Sequence, residues 1–373
     1  MRNVYAVADN IFSPLGENTK QNMEALRSGL TGIRQHHSDL DTGFFYASLF
    51  PDTVKKTDQV LTAFERIVLR SAQDAIQGAG LDPADDKTGF LLSSTKGNIS
   101  LIEDFSDGYI PEERLSLNTS AELISSRLGF HTEPLVVSHA CISGLLAMIT
   151  GKRLIQAGKF DNLVISGGDL ITRFIYSGFR SFQAISPNPC RPFDAKRDGI
   201  TLGEAAATIV LSAMDKPGSV RLTGGSVSND ANHISGPSRT GEELWLAIDR
   251  AMSQANLVAG DIDFISAHGT ATRYNDEMEA KAFHLGSLQE TPVNSLKGYY
   301  GHTLGAAGIL ESVVTIHSMR ENILIPTLGF FTPGTEKPLN IVKDFQRAEM
   351  NTCLKTASGF GGCNAAIILE KST

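Results

Sequence analysis

The sequence predicts an α/β protein made of two related halves, with mostly parallel sheets covered by helices on both faces. Three observations carry this. Short β-branched runs alternate with amphipathic stretches of helical spacing along the whole chain. A strand, a turn bearing a reactive side chain and an apolar helix occur twice, around Cys141 and around His302. The 373 residues suffice for two domain-sized units or one large duplicated one. The division falls at 1–215 and 216–373, with the cysteine in the first half and both histidines in the second.

The first half opens with a strand at 4–8 and a helix at 18–28 that ends near Gly29. Residues 62–77 form an amphipathic helix: Phe64, Val68 and Ile76 supply a core face, and Gly78 and Gly80 stop it. Residues 89–94 make a buried strand. Residues 99–118 are polar and poorly periodic and read as a cap or loop, and 121–128 is helical again. Next, Leu135-Val-Val-Ser-His-Ala-Cys141 runs into small residues and an apolar helical pattern of Leu145, Ile149 and Leu154, which stops at Gly158. That is strand, sharp turn, helix, with Cys141 at the turn. The unpaired N–H groups and partial positive charge of a helix start favour thiolate, so Cys141 is expected to have a lowered pKa. The same N–H groups suit an oxyanion. A buried structural cysteine is the other reading of this stretch. A strand at 163–168 follows, then a Pro-containing loop at 181–198, long enough to suggest a job, and a strand at 205–212.

The second half restarts near Val220. A helix at 241–255 precedes a strand at 262–267 that ends in His268-Gly-Thr-Ala-Thr. An acid-rich helix begins at 275, and a strand spans 291–296. Lys297-Gly-Tyr-Tyr-Gly-His302 then leads into an apolar helix ending near Met319. Residues 356–370 close the chain with Ser-Gly-Phe-Gly-Gly-Cys-Asn and a final strand.

Composition narrows the function. Hydrophobic residues are 41% and charged residues 20%, as in a packed soluble protein. Lys plus Arg is 33 against 41 for Asp plus Glu, and the net charge of -8 speaks against general nucleic-acid binding. An acidic partner would need a local basic patch. The 4 cysteines show no CxxC spacing, which points to a reducing compartment. The first residues lack the apolar core of a signal peptide. No apolar run reaches membrane-span length, and Lys152 and Arg153 interrupt the helix after Cys141. The expectation is a cytoplasmic protein without a membrane span.

Cys141, His268 and His302 all lie at strand-to-helix turns, which in open α/β folds gather into one crevice. Lys297 precedes His302 closely, and Glu311 lies on the helix after it. The other reading of each histidine is a satisfied core or surface residue, and His36, His37, His131, His284 and His317 are read that way. Zinc would want a fourth ligand and tighter local spacing, so neither a metal nor a cofactor is expected.

Six motifs now stand in order: Ala-Cys141-Ile-Ser-Gly; Cys190-Arg-Pro-Phe-Asp-Ala-Lys-Arg-Asp-Gly; Gly203-Glu204; His268-Gly-Thr-Ala-Thr; Lys297 with Gly301-His302-Thr-Leu-Gly-Ala-Ala-Gly; and Gly359-Phe-Gly-Gly-Cys-Asn. Together they resemble the elongating β-ketoacyl-[acyl-carrier-protein] synthases of the thiolase superfamily, over nearly the whole chain from Ser13-Pro-Leu-Gly onward. The resemblance implies the thiolase fold, two duplicated halves in an αβαβα five-layer arrangement, as a homodimer or a heterodimer with a related subunit. It implies decarboxylative Claisen condensation of an acyl thioester with malonyl-[acyl-carrier-protein], in fatty acid or polyene/polyketide-like biosynthesis. By the same resemblance Cys141 is the acylated nucleophile, and the N–H groups of Cys141 and Phe360 form the oxyanion hole. His268 and His302 act on the malonyl group. Lys297 orients the second histidine with Glu311 beside it. Thr270 and Thr272 hydrogen-bond the pantetheine arm, and Phe360 gates the acyl pocket.

Several positions depart from the family pattern. Segment 99–118 is short, Ile142 replaces a small residue after the nucleophile, His139 and Cys363 stand where Thr is usual, and the first strand lacks Thr-Gly-x-Gly. Ile142 is read as a substrate contact that crowds the pocket mouth. Docking of an acidic carrier is assigned to Lys55, Lys56, Arg66, Arg70 and Arg191, the last with an internal salt bridge as its other reading. A thiolase-type acyltransferase would want a second cysteine as base, with Cys363 near the right loop, and would leave His302 without a role. An initiating synthase would carry Asn in place of His302, and a non-catalytic partner subunit would lack Cys141. A Cys–His hydrolase or a pure acyl-binding module lies outside the class.

Overall fold

The duplication read in the sequence is a repeat of strand order in the computed structural model, which describes residues 2–37, 43–55, 60–103, 112–231 and 234–372. One 10-stranded sheet holds two sets of strands. The first set is Tyr5–Phe12, Thr88–Ser93, Leu135–Val137, Asn162–Asp169 and Ala205–Ser212. The second is Val220–Asn229, Phe264–Ser266, Val293–Asn294, Thr352–Gly359 and Cys363–Lys371. From the centre outward, each set runs first, fifth, fourth, second, third. In each, the fifth strand is antiparallel to its neighbours and the outer three are parallel. The sets join where Tyr5 faces Arg221 and Ala6 faces Val220.

Each third strand leads to a central helix. Ser143–Gln156 follows the first set's third strand, and Ala307–Glu321 follows the second's. Ala307–Glu321 is buried almost all round from Ala307 to Met319, as expected of a helix with no polar face. The two helices pack on each other and touch strands of both sets. Their crossing is closest at the N-terminal ends, where only glycine fits. A Cβ on Gly144 would lie 2.8 Å from the Gly305 carbonyl oxygen and 3.0 Å from Ile309 N, and one on Gly308 would strike Leu145 N. This approach brings the Cys141 and His302 turns into one crevice.

Outer helices complete the five layers. Ala63–Ala79 covers the first set with Leu117–Leu128, and Glu242–Ala255 covers the second with Arg273–Leu285. Ala63–Ala79 starts with a capping box, Thr62 with Glu65, and ends at Gly80 in the left-handed region at φ 62°.

The elements differ from the sequence reading in four places. The first strand extends to Phe12. The final strand is a hairpin of two, Thr352–Gly359 and Cys363–Lys371, turning at 360–362. The strand read at 291–296 keeps only Val293–Asn294 in ladder pairing. Three elements were not legible: the hairpin Arg34–His37 with Phe44–Ser48, and the helix Arg173–Ser181, which buries only Ile175. The segment read as a cap at 99–118 holds a turn of helix at Ile99–Ile102 and the helix Glu112–Leu115, and its residues 104–111 lie outside the described residues.

Candidate active site

Cys141 follows a strained turn. Ala140 has φ 44°, unusual for a residue with a Cβ. Ser143 Oγ holds the turn, donating to the Ala140 carbonyl at 2.6 Å and accepting from His139 N at 2.7 Å. The N–H of Phe360 donates to the Cys141 sulfur. Gly359 permits that approach, since a Cβ there would lie 3.0 Å from both Cys141 N and Cys363 Sγ. Burial pushes the Cys141 thiol up to about 11, while Lys297, the Phe360 N–H and Lys96 pull it down. The lowered pKa expected from the helix start is therefore corrected. At 7% exposure the thiolate loses more hydration than the nearby positive groups return.

His268 sits just past Phe264–Ser266, and His302 at the turn before the second central helix. Their ring centroids are 5.2 Å apart at 86°. Burial lowers both pKa values well below the ordinary 6.5, and Lys297 and Lys355 lower them further, so both imidazoles are neutral near pH 7. Lys297 Nζ lies 3.3 Å from His268 Nδ1, so it orients the first histidine and not the second, which corrects the role implied by the resemblance. An ammonium only donates, so Nδ1 accepts and the proton sits on Nε2. Neither ring nitrogen of His302 has a hydrogen-bond partner among the described residues.

Behind the histidines lies a buried charge cluster. Lys297 Nζ donates to Glu311 Oε1 at 2.8 Å and to the His268 carbonyl at 2.6 Å. Lys355 Nζ forms an ion pair with Glu311 Oε2 at 2.6 Å. Burial alone would raise the Glu311 pKa, yet the two lysines hold it below the ordinary value. Glu279 accepts the N–H groups of His268 at 2.8 Å and Gly269 at 2.6 Å. Asp169 accepts from Gly305 N at 2.7 Å and Ser94 Oγ at 2.8 Å, and so ties the loop after His302 to the first half. Sequence reasoning missed Lys355, Glu279 and Asp169. The one visible signal was Lys355, a lysine inside the otherwise apolar run Thr-Cys-Leu-Lys-Thr-Ala.

Two cavities meet at Cys141. One, a narrow cavity of about 70 Å³, is lined by His268, His302, Thr270, Thr272 and Asn275. Thr270 Oγ1 and Thr272 Oγ1 are 2.9 Å apart. The other, of about 190 Å³, is mainly apolar and is lined by Phe174, Ile175, Phe179, Phe182 and Leu304, with Lys96 at its edge. Cys141, Phe179 and Phe360 line both. The Phe360 ring stands 5.3 Å from Phe179 and 5.2 Å from Phe182. Ile142 lines neither cavity. It packs in the main core at 1% exposure, which corrects its reading as a substrate contact.

The docking candidates separate. Lys55 is 2.7 Å from Glu204, a fully buried carboxylate that requires a counter-charge, so its assignment to an outer surface is corrected. Lys56 lies outside the described residues. Arg191 is half-buried, and its charge helps to hold the Asp194 pKa below the ordinary value. Arg66 and Arg70 line one surface groove with Phe12 and Val54. Arg70 is 2.7 Å from Glu17 and 4.6 Å above the Phe12 ring. No helix among the described residues is long and apolar enough to cross a membrane.

Two family profiles match, "Beta-ketoacyl synthase, N-terminal domain" over residues 1–216 and "Beta-ketoacyl synthase, C-terminal domain" over 220–331. The chain is 30% identical to the 3-oxoacyl-[acyl-carrier-protein] synthase 2 of Rhizobium meliloti (strain 1021), covering 100% of both chains. It is 29% identical to the putative polyketide beta-ketoacyl synthase 1 of Streptomyces halstedii, covering 85% of this chain and 83% of that one. Among solved structures it is similar to the ketosynthase ApeO in complex with its chain length factor ApeC from Xenorhabdus doucetiae, at TM-score 0.86 and 25% identity over 100% and 98% of the chains. The ishigamide ketosynthase/chain length factor shares the fold at TM-score 0.89 and 24% identity, with 100% of both chains covered. With profiles matched across both halves and a full-length relative at this identity, the chain belongs to the beta-ketoacyl synthase family.

Proposed function

We propose that the protein joins an acyl thioester to malonyl-[acyl-carrier-protein] by decarboxylative Claisen condensation, giving a 3-oxoacyl-[acyl-carrier-protein] and carbon dioxide. The observation that carries this reading is His302: two unpartnered imidazole nitrogens, buried, neutral and facing the cavity that Cys141 also lines. Buried imidazole nitrogens that no described residue pairs suit hydrogen bonding to a bound substrate oxygen.

In the first step Cys141 sulfur attacks the acyl carbonyl. The new C–S bond forms, the old one breaks, and the departing carrier thiol takes the proton that Cys141 gave up. Because the resting thiol is protonated, one of the neutral imidazoles relays that proton. The N–H groups of Cys141 and Phe360 hold the tetrahedral oxygen. In the second step the malonyl C–C bond breaks and carbon dioxide leaves. The electron pair remains as an enolate, whose oxygen takes hydrogen bonds from His268 Nε2 and His302. In the third step the enolate carbon attacks the Cys141 thioester, the C–C bond forms, and the sulfur leaves as thiolate.

The acyl chain occupies the phenylalanine-lined cavity and the pantetheine arm passes Thr270 and Thr272. The flat rings of that cavity favour short or flat unsaturated acyl groups, in fatty acid or polyene/polyketide-like biosynthesis. The reading divides the chain at 215/216, supported by the repeated strand order. It places the protein in the cytoplasm as a dimer, with a second copy or with a related subunit. The edge strand Leu135–Val137, half-exposed and apolar, supports pairing there. The names of the relatives support an acyl carrier protein as substrate bearer. The test is release of carbon dioxide from malonyl-loaded carrier by the purified protein. A thiolase or a hydrolase releases none, and no release overturns the proposal.

A further inference from the structure

Two lysines, not one, hold the turn that presents His268. Lys297 donates to the His268 carbonyl at 2.6 Å. Lys355 donates to the preceding two carbonyls, Ser266 at 3.2 Å and Ala267 at 3.3 Å, and to Thr356 O at 2.6 Å. Three consecutive carbonyls, 266 to 268, therefore end on ammonium groups. Strand register makes this possible: Ser266 lies opposite Lys355 in the parallel pair, with the histidine two residues further on. Glu311 sits between the two ammoniums and ties them together, Oε1 to Lys297 and Oε2 to Lys355. Both lysines are fully buried. Burying a lysine is costly unless its charge and donors are matched, and among the described residues Lys355 is matched by Glu311, by these carbonyls and by the charge of Glu279.

We propose that Lys355 is a positioning residue for the malonyl half-reaction, fixing the His268 turn and keeping positive charge beside both histidines through its bond to Glu311. This rests on the condensing-enzyme reading and adds a residue to it. The groups that act on the His268 ring are Lys297, His302 and Lys355, with Glu279 on its backbone N–H and Glu311 behind it on the two lysines. Glu279 is held by the N–H groups of His268 and Gly269 and Glu311 by the two lysines, and the charges that lower the His268 pKa are Lys297, His302 and Lys355. Removing Lys355 takes away a cation that opposes imidazolium, so the histidines then protonate at higher pH.

The test measures carbon dioxide release from malonyl-loaded carrier across pH for the wild type, Lys355→Met and Lys355→Arg. Lys355→Met is expected to lose activity several-fold more than wild type on going from about pH 8 to about pH 6, because its acid limb moves upward. Lys355→Arg keeps the cation and is expected to keep the wild-type limb. Alkylation of Cys141 by iodoacetamide is expected to proceed in all three. A Lys355→Met profile with the wild-type shape, merely scaled down, overturns the proposal. If Lys355→Met does not fold by circular dichroism, Lys355→Gln takes its place, and a chain that folds with neither makes Lys355 structural and also overturns it. Absence of carbon dioxide release by the wild type would instead strike the condensing-enzyme reading.

Discussion

Gly144 and Gly308 face each other where the two central helices begin, and neither position has room for a methyl group. Gly144 lies three residues after Cys141, and Gly308 six after His302. The distance between the two half-reactions is thus set by backbone contact, not by flexible side chains. Gly308→Ala is expected to push its helix off Leu145 N, at a cost of about 1–3 kcal/mol. Chemical denaturation would read the lost stability, and condensation should fall more than self-acylation. Unchanged stability would mean the contact is not tight.

Cys141 should be the cysteine that iodoacetamide labels first. Its thiol is raised to about 11, but Cys190 and Cys363 stand at about 12 and Cys353 well above 9. Only thiolate reacts, so below its pKa the rate should climb about tenfold per pH unit. Peptide mass spectrometry after brief labelling would check both statements. A rate flat between neutral and alkaline pH would show a thiolate already formed at neutrality, contradicting the raised pKa.

His302→Ala should abolish release of carbon dioxide from malonyl carrier while leaving some self-acylation of Cys141. The variant removes one of two donors to the enolate oxygen, a loss of the order of 100-fold or more in such sites. Circular dichroism separates this from failure to fold. Decarboxylation at the wild-type rate would remove His302 from the chemistry.

The extent to which this site was legible in the sequence follows physical lines. Cys141, His268, His302 and Lys297 sit in compact motifs at element ends, where spacing suggests a shared crevice, and the described geometry brings them together with Glu311 from inside the helix Ala307–Glu321. Lys355 has no such signal, because a single lysine in a strand does not say which carboxylate meets it across the fold. Ile142 misled because the direction of a side chain at a helix start depends on the core behind it. Lys55 misled because only the fold reveals that Glu204 is buried and in need of a cation. The helix Arg173–Ser181 escaped because it buries a single residue, so periodicity had little to show, yet it supplies Phe174 and Phe179 to the acyl cavity. The lowered cysteine pKa failed for lack of one quantity, the burial of the sulfur.

Short or flat unsaturated acyl groups should outcompete a long saturated one. The cavity beyond Phe360 is walled by Phe174, Phe179 and Phe182, with Ile175 and Leu304. Competition between carriers bearing the two kinds of chain would read the preference. Phe182→Ala opens one wall and should shift it toward longer chains. A wild-type preference for a sixteen-carbon saturated chain would contradict the assignment of this cavity.

Charge reversal at Arg66 and Arg70 should raise KM for carrier-bound substrate several-fold, and the effect should shrink with added salt. The two line one groove on the helix Ala63–Ala79. Turnover of a small pantetheine thioester should stay the same, since it makes no use of that face. Equal losses with both substrates would assign the arginines to the fold.

The central claim is that one site both loses carbon dioxide from the malonyl group and forms a carbon–carbon bond to the acyl group on Cys141. Intact-mass spectrometry of the carrier tests it most directly. Protein first acylated at Cys141 and then mixed with malonyl carrier should yield a carrier heavier than acetyl carrier by the mass of the acyl group less one hydrogen, with one carbon dioxide released per product. Carrier that stays malonyl-loaded while Cys141 is freed as the acid would contradict the account.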